Sequence, residues 1–468
     1  MSHCANTEIA DLTALEMLRR FRSGTLSPVE AAEATLERIH RHNNQVNAYC
    51  LVDEETTLRA ARLSEQRYRH LQPQGLIDGV PVAIKDVFLT RGWPNLKGSK
   101  TVDPNGPWEH DAPAVAALRR HGLVPAGKTT TPELGWKGVT DCPCYGVTGN
   151  PHDPTKTAGG SSGGSAAAVV LGMGPLSLGT DAGGSIRIPA GFSGLVGHKP
   201  TQGRVPIWPA SPFGQLAHPG PMTWTVEDAA LLMDVIAESD PRDPTLPPDN
   251  CSYLQAIEGG VRGLRIAFSP NLGYVDVDPE IARAVAAAAQ TMEALGAQVD
   301  EIDPGFSDPR QAFDLLFFGG AANALRSIPE EKHNVMDPAL VEAVNSVKDA
   351  TMLDYMQAMN ERAALTEQMS LFHQRYDLLL TPTLPIPAFS AGLEVPEGWH
   401  DHRWPSWTPF TYPFNMTGQP ACSVPCGFTS DGLPIGVQMV GPRHADGLVL
   451  RAAHTYQQAE PLTDRRPT

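Results

Sequence analysis

Three side chains in this sequence carry the means for covalent chemistry: Lys85 at the end of the apolar run GVPVAI, Ser161 inside TAGGSSGGSAAAVV, and Ser185 at the end of GTDAGGS. Serine is a weak nucleophile until a base takes its proton, and lysine serves as that base when burial favours its neutral form. A lysine emerging from a buried strand suits that role, whereas paired with Asp86 at a sheet end it would be structural. The first glycine-rich segment also suggests a phosphate loop, because a glycine turn entering a helix favours anions. Residue identity removes that reading. Gly164 is followed by Ser165 and Ala166 rather than Lys-Ser/Thr, and the segment follows the loop NPHDPT rather than a strand, so neither nucleotide fingerprint is met. No G-x-S-x-G elbow surrounds Ser185, which sets aside a Ser-His-Asp hydrolase using one of the 15 histidines.

The elements that must position these residues alternate between strand and helix. Apolar residues at helical spacing from Leu12 to Arg22 stop at Gly24, and Ser27-Pro28-Val29-Glu30 opens a second helix with a capping box. Glu54 to His70 reads as a third helix, GVPVAIKDVF as a buried strand, Asp111 to His121 as helix and LVPAGKTT as strand. SAAAVVLGM is helical and GPLSLGTDAGGS is a strand entering a glycine turn. PRDPTLPPDN, Pro241 to Asn250, reads as a linker, beyond which LRIAFSP, the helix Pro279 to Leu295 and AQVDEI repeat the pattern. A long helical stretch from Ala339 to Tyr376 precedes DLLLTPTLPIP, and CSVPCGF and LPIGVQMVG form strands around the Asp431-Gly432 turn. This alternation predicts an α/β layer structure.

Composition narrows the partners. The 468 residues are 41% hydrophobic and 19% charged, enough to bury a large core. Lys+Arg 36 against Asp+Glu 52 gives a net charge of −16, which leaves no basic surplus for nucleic acid. No apolar run has membrane-spanning length, MSHCANTEIADL lacks the features of a signal peptide, and seven cysteines fit reduced thiols in a cytoplasm. Cys142-Pro-Cys144 has no companion set at zinc spacing, so the cysteines read as buried or pocket-lining thiols and no metal is expected.

Together GVPVAIKD, GKTTTPE, NPHDPTKTAGGSSGGSAAAV, GTDAGGSIRIPAGFSGLVGHKPT and GLPIGVQMVG resemble the amidase signature family, from about Leu12 to the C-terminus and most densely between Gly79 and Pro206. The resemblance implies an amidase-signature α/β fold in which helices cover both faces of a mixed central sheet. It implies one domain over 1–468: a helical segment over about 1–72, a signature core over about 75–215, a variable substrate-side region over about 238–410 and C-terminal strands over about 411–468. It implies a Ser-cisSer-Lys triad with Ser185 as nucleophile, Lys85 as base and Ser161 as the bridging serine after a cis Gly160–Ser161 peptide. Ala182, Gly183, Gly184 and Ser185 are then the oxyanion donors, because a side-chain-free turn aims successive N–H groups at one point. Ser162 and Ser165 are expected as turn and helix-capping hydroxyls. Asp181 and Arg187 read either as an ion pair holding the turn or, for Arg187, as a substrate contact. Gly135, Trp136 and Cys144 match the acyl-site loop, and Tyr145 and the tract HDHRWPSWTPFTYPF could add aromatic walls around the substrate.

Two departures from the family pattern, Val87-Phe88 after Lys-Asp and His198 before Lys-Pro-Thr, leave the triad untouched, and His198 reads as a packed core histidine. GKTTTPELGWKG resembles the hydrolytic members more than the glutaminase subunits of tRNA-dependent amidotransferases, which carry Met-Asp-Glu after GKTN. The expected activity is therefore cofactor-free hydrolysis of a small acyl or aryl amide, with esters and carbamates (urethanes) also accepted. The glutaminase subunit is the alternative. The expected partners are a small-molecule amide and, at most, a second copy in a homodimer, with no nucleic acid and no membrane.

Overall fold

The short apolar runs become strands of one sheet in the computed structural model, which describes residues 9–245, 252–461 and 466–467. In chain order the strands are β1 Tyr49–Leu51, β2 Pro81–Lys85, β3 Val124–Thr129, β4 Asp141–Cys142, β5 Gly146–Val147, β6 Leu176–Asp181 and β7 Val196–Lys199. They continue as β8 His218–Thr223, β9 Arg265–Phe268, β10 Gln298–Glu301, β11 Leu378–Pro382, β12 Ala421–Phe428 and β13 Pro434–Val440. Eleven of these form a mixed sheet in the order β1-β3-β2-β6-β8-β7-β12-β13-β11-β9-β10, flanked by helices, while β4 and β5 make a separate hairpin. β2 lies between two parallel neighbours and is buried at every position, which is why its sequence shows no polar alternation.

Helix boundaries follow local capping chemistry. The helix Ala14–Ser23 starts at Thr13, whose hydroxyl accepts the Glu16 N–H, and ends at Gly24 in the left-handed conformation. Ser27 and Glu30 form the expected capping box of the helix Pro28–Val46. The helical stretch read from Ala339 to Tyr376 is two helices, Pro338–Asn345 and Met352–Phe372. A second capping box, Thr351 with Asp354, starts the latter and explains the break. The helix over SAAAVVLGM ends at Val170, earlier than its sequence suggested, because Gly172 turns left-handed.

The segment read as a linker falls partly outside the described residues. Its described part is anchored: the Arg242 guanidinium lies 4.6 Å from the Trp208 ring centroid, and Asp243 accepts the Ile207 N–H at 2.7 Å. Beyond it, β9 and β10 extend the same sheet through β11. No helix among the described residues is long and apolar enough to cross a membrane.

Asp228, on the helix Val226–Ile236, ties the N-terminal helix to this body. Its buried carboxylate accepts the N–H groups of Ala14 at 2.8 Å and Leu15 at 3.1 Å, two of the donors that a helix start leaves unpaired. Asp228→Ala is expected to lower unfolding free energy by about 1–3 kcal/mol, the range for stranding buried donors. Urea denaturation measures the loss, and limited proteolysis should then cut first in the N-terminal helix.

Candidate active site

The parallel register of β2 and β6, with Ile84 opposite Leu178, brings Lys85 beside the end of β6. Lys85 is fully buried, and its Nζ donates to Ser161 Oγ at 2.6 Å and Thr180 Oγ1 at 2.8 Å. Burial pushes its pKa well below the ordinary lysine value, against the opposing charge of Asp181. Asp86, the alternative partner read from sequence, instead accepts Tyr145 Oη–H at 2.6 Å and lies 3.4 Å from Lys128 Nζ.

Ser161 sits in the glycine-rich turn ahead of the helix Gly163–Val170, and the Gly160–Ser161 peptide is cis. Close backbone approach accounts for two of the glycines. A Cβ on Gly160 would lie 2.4 Å from the Val139 carbonyl carbon, and one on Gly164 would lie 2.3 Å from Thr130 Oγ1. Ser162 and Ser165 do not cap the helix, whose start receives no side-chain bond from Ser162. Ser162 Oγ bridges to the Thr180 backbone, accepting its N–H at 3.3 Å and donating to its carbonyl at 3.2 Å. Ser165 Oγ pairs with Thr129 Oγ1 at 2.8 Å, and Thr140 Oγ1 takes the capping position by accepting the Gly163 N–H at 3.0 Å. The two glycine turns meet where the Ser162 N–H donates to the Ser185 carbonyl at 3.2 Å.

Asp181 and Arg187 organise the second turn, and neither side chain has any exposure. Arg187 Nε and Nη2 donate to the two Asp181 oxygens at 2.9 and 3.0 Å. Its remaining donors reach the Thr411 carbonyl at 3.0 Å, Gln438 Oε1 at 2.8 Å and Asn415 Oδ1 at 2.6 Å. Arg187 is therefore a buried support, and the substrate contact read for it is corrected: its guanidinium is spent on the turn. Burial raises the Asp181 pKa, but the charge and hydrogen bonds of Arg187, with Lys199 and Asn415, hold it far below the carboxylate range. Gly184 is likewise corrected as an oxyanion donor, since its N–H donates to Asp181 Oδ1 at 2.7 Å. The N–H groups of Ala182, Gly183 and Ser185 have no partner among the described residues.

The loop residues separate by burial. A Cβ on Gly135 would lie 3.4 Å from Ser161 Oγ, so this backbone faces the hydroxyl. Trp136 was expected at the substrate. It is fully buried, with its indole N–H donated to Asp337 Oδ2 at 3.0 Å, and it supports the loop from behind. Cys144 and Tyr145 are partly exposed beside Asp86, and burial raises the Cys144 thiol pKa. The Trp-rich tract packs inward, with Trp404 and Trp407 almost wholly buried. A Cβ on Gly183 would lie 2.7 Å from both Trp404 Cη2 and Phe313 Cζ, so aromatic rings cover that turn directly. His198 is buried with Nε2 3.4 Å from Asp446, and burial lowers its pKa. Sequence reasoning missed Thr180, Thr411, Asn415, Gln438 and Asp337. Of these only Thr180, next to Asp181 in GTDAGGS, lies inside one of the two glycine-turn motifs.

The Amidase family model matches residues 30–450. An acylamidase of Rhodococcus erythropolis is 38% identical over 97% of this chain and 97% of its own length. The A subunit of the glutamyl-tRNA(Gln) amidotransferase of Myxococcus xanthus is 35% identical over 96% of this chain and 98% of its own. Among solved structures, a bacterial aryl acylamidase of the amidase signature family superposes with a TM-score of 0.90 at 30% identity, covering 97% of both chains. A 6-aminohexanoate cyclic dimer hydrolase does so at 0.89 and 30%, covering 98% of this chain and 99% of that one.

Asp181→Asn is expected to cost about 3–5 kcal/mol of stability, because it leaves the Arg187 charge buried without a counterion. Equilibrium urea unfolding tests this, and a loss below about 1 kcal/mol, the range of exposed pairs, would contradict the account of the turn.

Proposed function

The chain belongs to the amidase signature family and is an amide-hydrolysing enzyme, and on that premise we propose that it is a cofactor-free amidohydrolase of small acyl or aryl amides working through an acyl-Ser185 intermediate. The 2.6 Å contact between buried Lys85 Nζ and Ser161 Oγ carries the reading, because it joins a depressed amine to a hydroxyl that can pass a proton on. Ser185 Oγ attacks the amide carbonyl while its proton moves to Ser161 and the Ser161 proton moves to neutral Lys85. The N–H groups of Ala182, Gly183 and Ser185 receive the oxyanion. The C–N bond breaks as the Lys85 ammonium returns its proton through Ser161 to the leaving nitrogen. Water then attacks the Ser185 ester, passing its proton through Ser161 to Lys85, and the Oγ–acyl bond breaks as that proton returns through Ser161 to Ser185 Oγ, releasing the carboxylic acid.

Aromatic packing of Phe313 and Trp404 on Gly183 supports an apolar or aryl acyl group, and the likeness to acylamidases points the same way. Esters and carbamates pass through a similar tetrahedral intermediate and belong to the same reading. The five described cysteines are free thiols, which fits a cytoplasmic setting. Hydrolysis of aryl and aliphatic amides by the isolated chain, against glutaminase activity only with partner subunits, separates this reading from the amidotransferase alternative.

Fluorophosphonate should label Ser185, and Ser185→Ala should abolish both labelling and turnover. Ser161→Ala should lower kcat by about 10²–10⁴, the range for lost proton transfer, while slow acylation continues. An adduct mapping to Ser161 or wild-type turnover by Ser161→Ala would refute the assignments.

Because neutral Lys85 is the active form, kcat/KM should rise with pH through its depressed pKa and fall away below it, on a limb well under the ordinary lysine value of about 10.4. Lys85→Ala should remove that limb along with most activity. Lys85→Arg should not restore it, since guanidinium stays protonated; near-normal turnover by Lys85→Arg would reduce the lysine to a fixed charge.

A further inference from the structure

The loop Pro132–Asp141 touches both residues of the cis peptide: the Gly135 backbone faces Ser161 Oγ, and Val139 lies against Gly160. Two consecutive residues of that loop, Leu134 and Gly135, hold left-handed backbone angles of 55° and 72°, a shape the chain keeps only when its surroundings dictate it. Their own N–H groups donate to the Lys97 carbonyl at 2.7 Å and the Pro132 carbonyl at 2.9 Å, and the polar side chains flanking the pair converge on one residue of the variable region, some 200 positions away. Asp337 Oδ2 accepts Trp136 Nε1–H at 3.0 Å and Lys137 Nζ–H at 2.8 Å, and the Asp337 N–H donates to Glu133 Oε2 at 2.5 Å. Its other oxygen, Oδ1, accepts the Ala339 N–H at 3.0 Å and so caps the helix Pro338–Asn345.

The network is closed on its far sides. Glu133 Oε1 accepts Ser99 Oγ–H at 2.6 Å, and Lys137 Nζ also reaches Asp141 Oδ1 at 2.5 Å. Burial works against the Lys137 charge, yet Asp141 and Asp337 together hold its pKa above the ordinary value, so the ammonium is a firm link between loop and helix. We propose that Asp337 is a positioning residue: it couples the helix Pro338–Asn345 to the loop facing Ser161 and thereby sets the alignment of the proton relay. This rests on the reading of Ser161 as the bridge to Ser185.

The test uses the full chain with Asp337→Asn and Asp337→Ala. Asparagine caps helices as well as aspartate, so Asp337→Asn can keep its oxygen on the Ala339 N–H, while its amide NH2 replaces the oxygen that accepted from Trp136 and Lys137 and the tie to the loop is lost. Fluorophosphonate labelling to completion counts folded sites, and kcat is expressed per labelled site. Misplacement of a reacting group by about 1 Å can cost up to about 100-fold, so kcat per labelled site should fall about 10-fold in Asp337→Asn and about 100-fold in Asp337→Ala, with KM changed less than about two-fold. Unchanged kcat per labelled site, with only a lower Tm or fewer labelled sites, would overturn the proposal by reducing Asp337 to a structural cap. Failure of the nucleophile assignment would appear in the unmodified enzyme as labelling away from Ser185, whereas failure of the Asp337 assignment appears only in the variants.

Discussion

The buried ion pair between Asp181 and Arg187 sets the terms for the rest of the site. Two charges without exposure are tolerated only when every lone pair and donor is used, because desolvation otherwise outweighs their attraction. Asp181 meets that demand by accepting from Gly184, Ile186, the Arg187 guanidinium and Asn415. Arg187 meets it by reaching Thr411, Gln438 and Asn415. The turn carrying Ser185 is therefore shaped by charge saturation. Gly184 donates its N–H to the carboxylate, while the adjoining Gly183 lies against Phe313 and Trp404.

Four buried lysines show how surroundings sort one side chain into different chemistry. Lys137 lies between Asp141 and Asp337 and keeps its charge. Lys128 has Asp86 within 3.4 Å, although burial still lowers its pKa. Among the described residues Lys85 and Lys199 have no carboxylate in contact, and burial drives both well below the ordinary value. Their partners then separate them. Lys199 bonds the carbonyls of Gln419 and Pro200, which carry no transferable proton, whereas Lys85 bonds two hydroxyls. A low pKa alone does not mark a base, and it is the two hydroxyls that single out Lys85 for the proposed mechanism.

Much of this arrangement was legible in the sequence, and the gaps have more than one cause. The buried strand ending in Lys85, the two glycine turns, the Gly24 stop and the Ser27 capping box are local, fixed by residues within a few positions of one another. Trp136 and Arg187 hide their far partners for the opposite reason, although the Asp181–Arg187 ion pair is itself one of the two readings the sequence offers. Each is a polar or aromatic group in a motif near the proposed catalytic serines, and each is claimed by partners far along the chain: Asp337 is 201 positions from Trp136, and Gln438 is 251 from Arg187. Gly184 differs again, since its N–H is a free donor by sequence alone and the acceptor that takes it, Asp181, stands only three residues away. The break before Met352 was visible as Thr351-x-x-Asp354, but apolar periodicity on both sides masked it.

The placement of β12 and β13 between β7 and β11 has a consequence for how the protein is made. As a nascent chain leaves the ribosome, the two serines and the lysine emerge early, while the acceptors for Arg187 at Thr411, Asn415 and Gln438 follow 224 to 251 residues later. Until they arrive, the guanidinium lacks the partners that make its burial tolerable, and the turn bearing Ser185 has no reason to hold its shape. A stalled or prematurely terminated polypeptide would thus contain Lys85, Ser161 and Ser185 without the partners that hold the second turn. On the proposed mechanism, reactivity would then arrive only with the last strand, which carries Gln438.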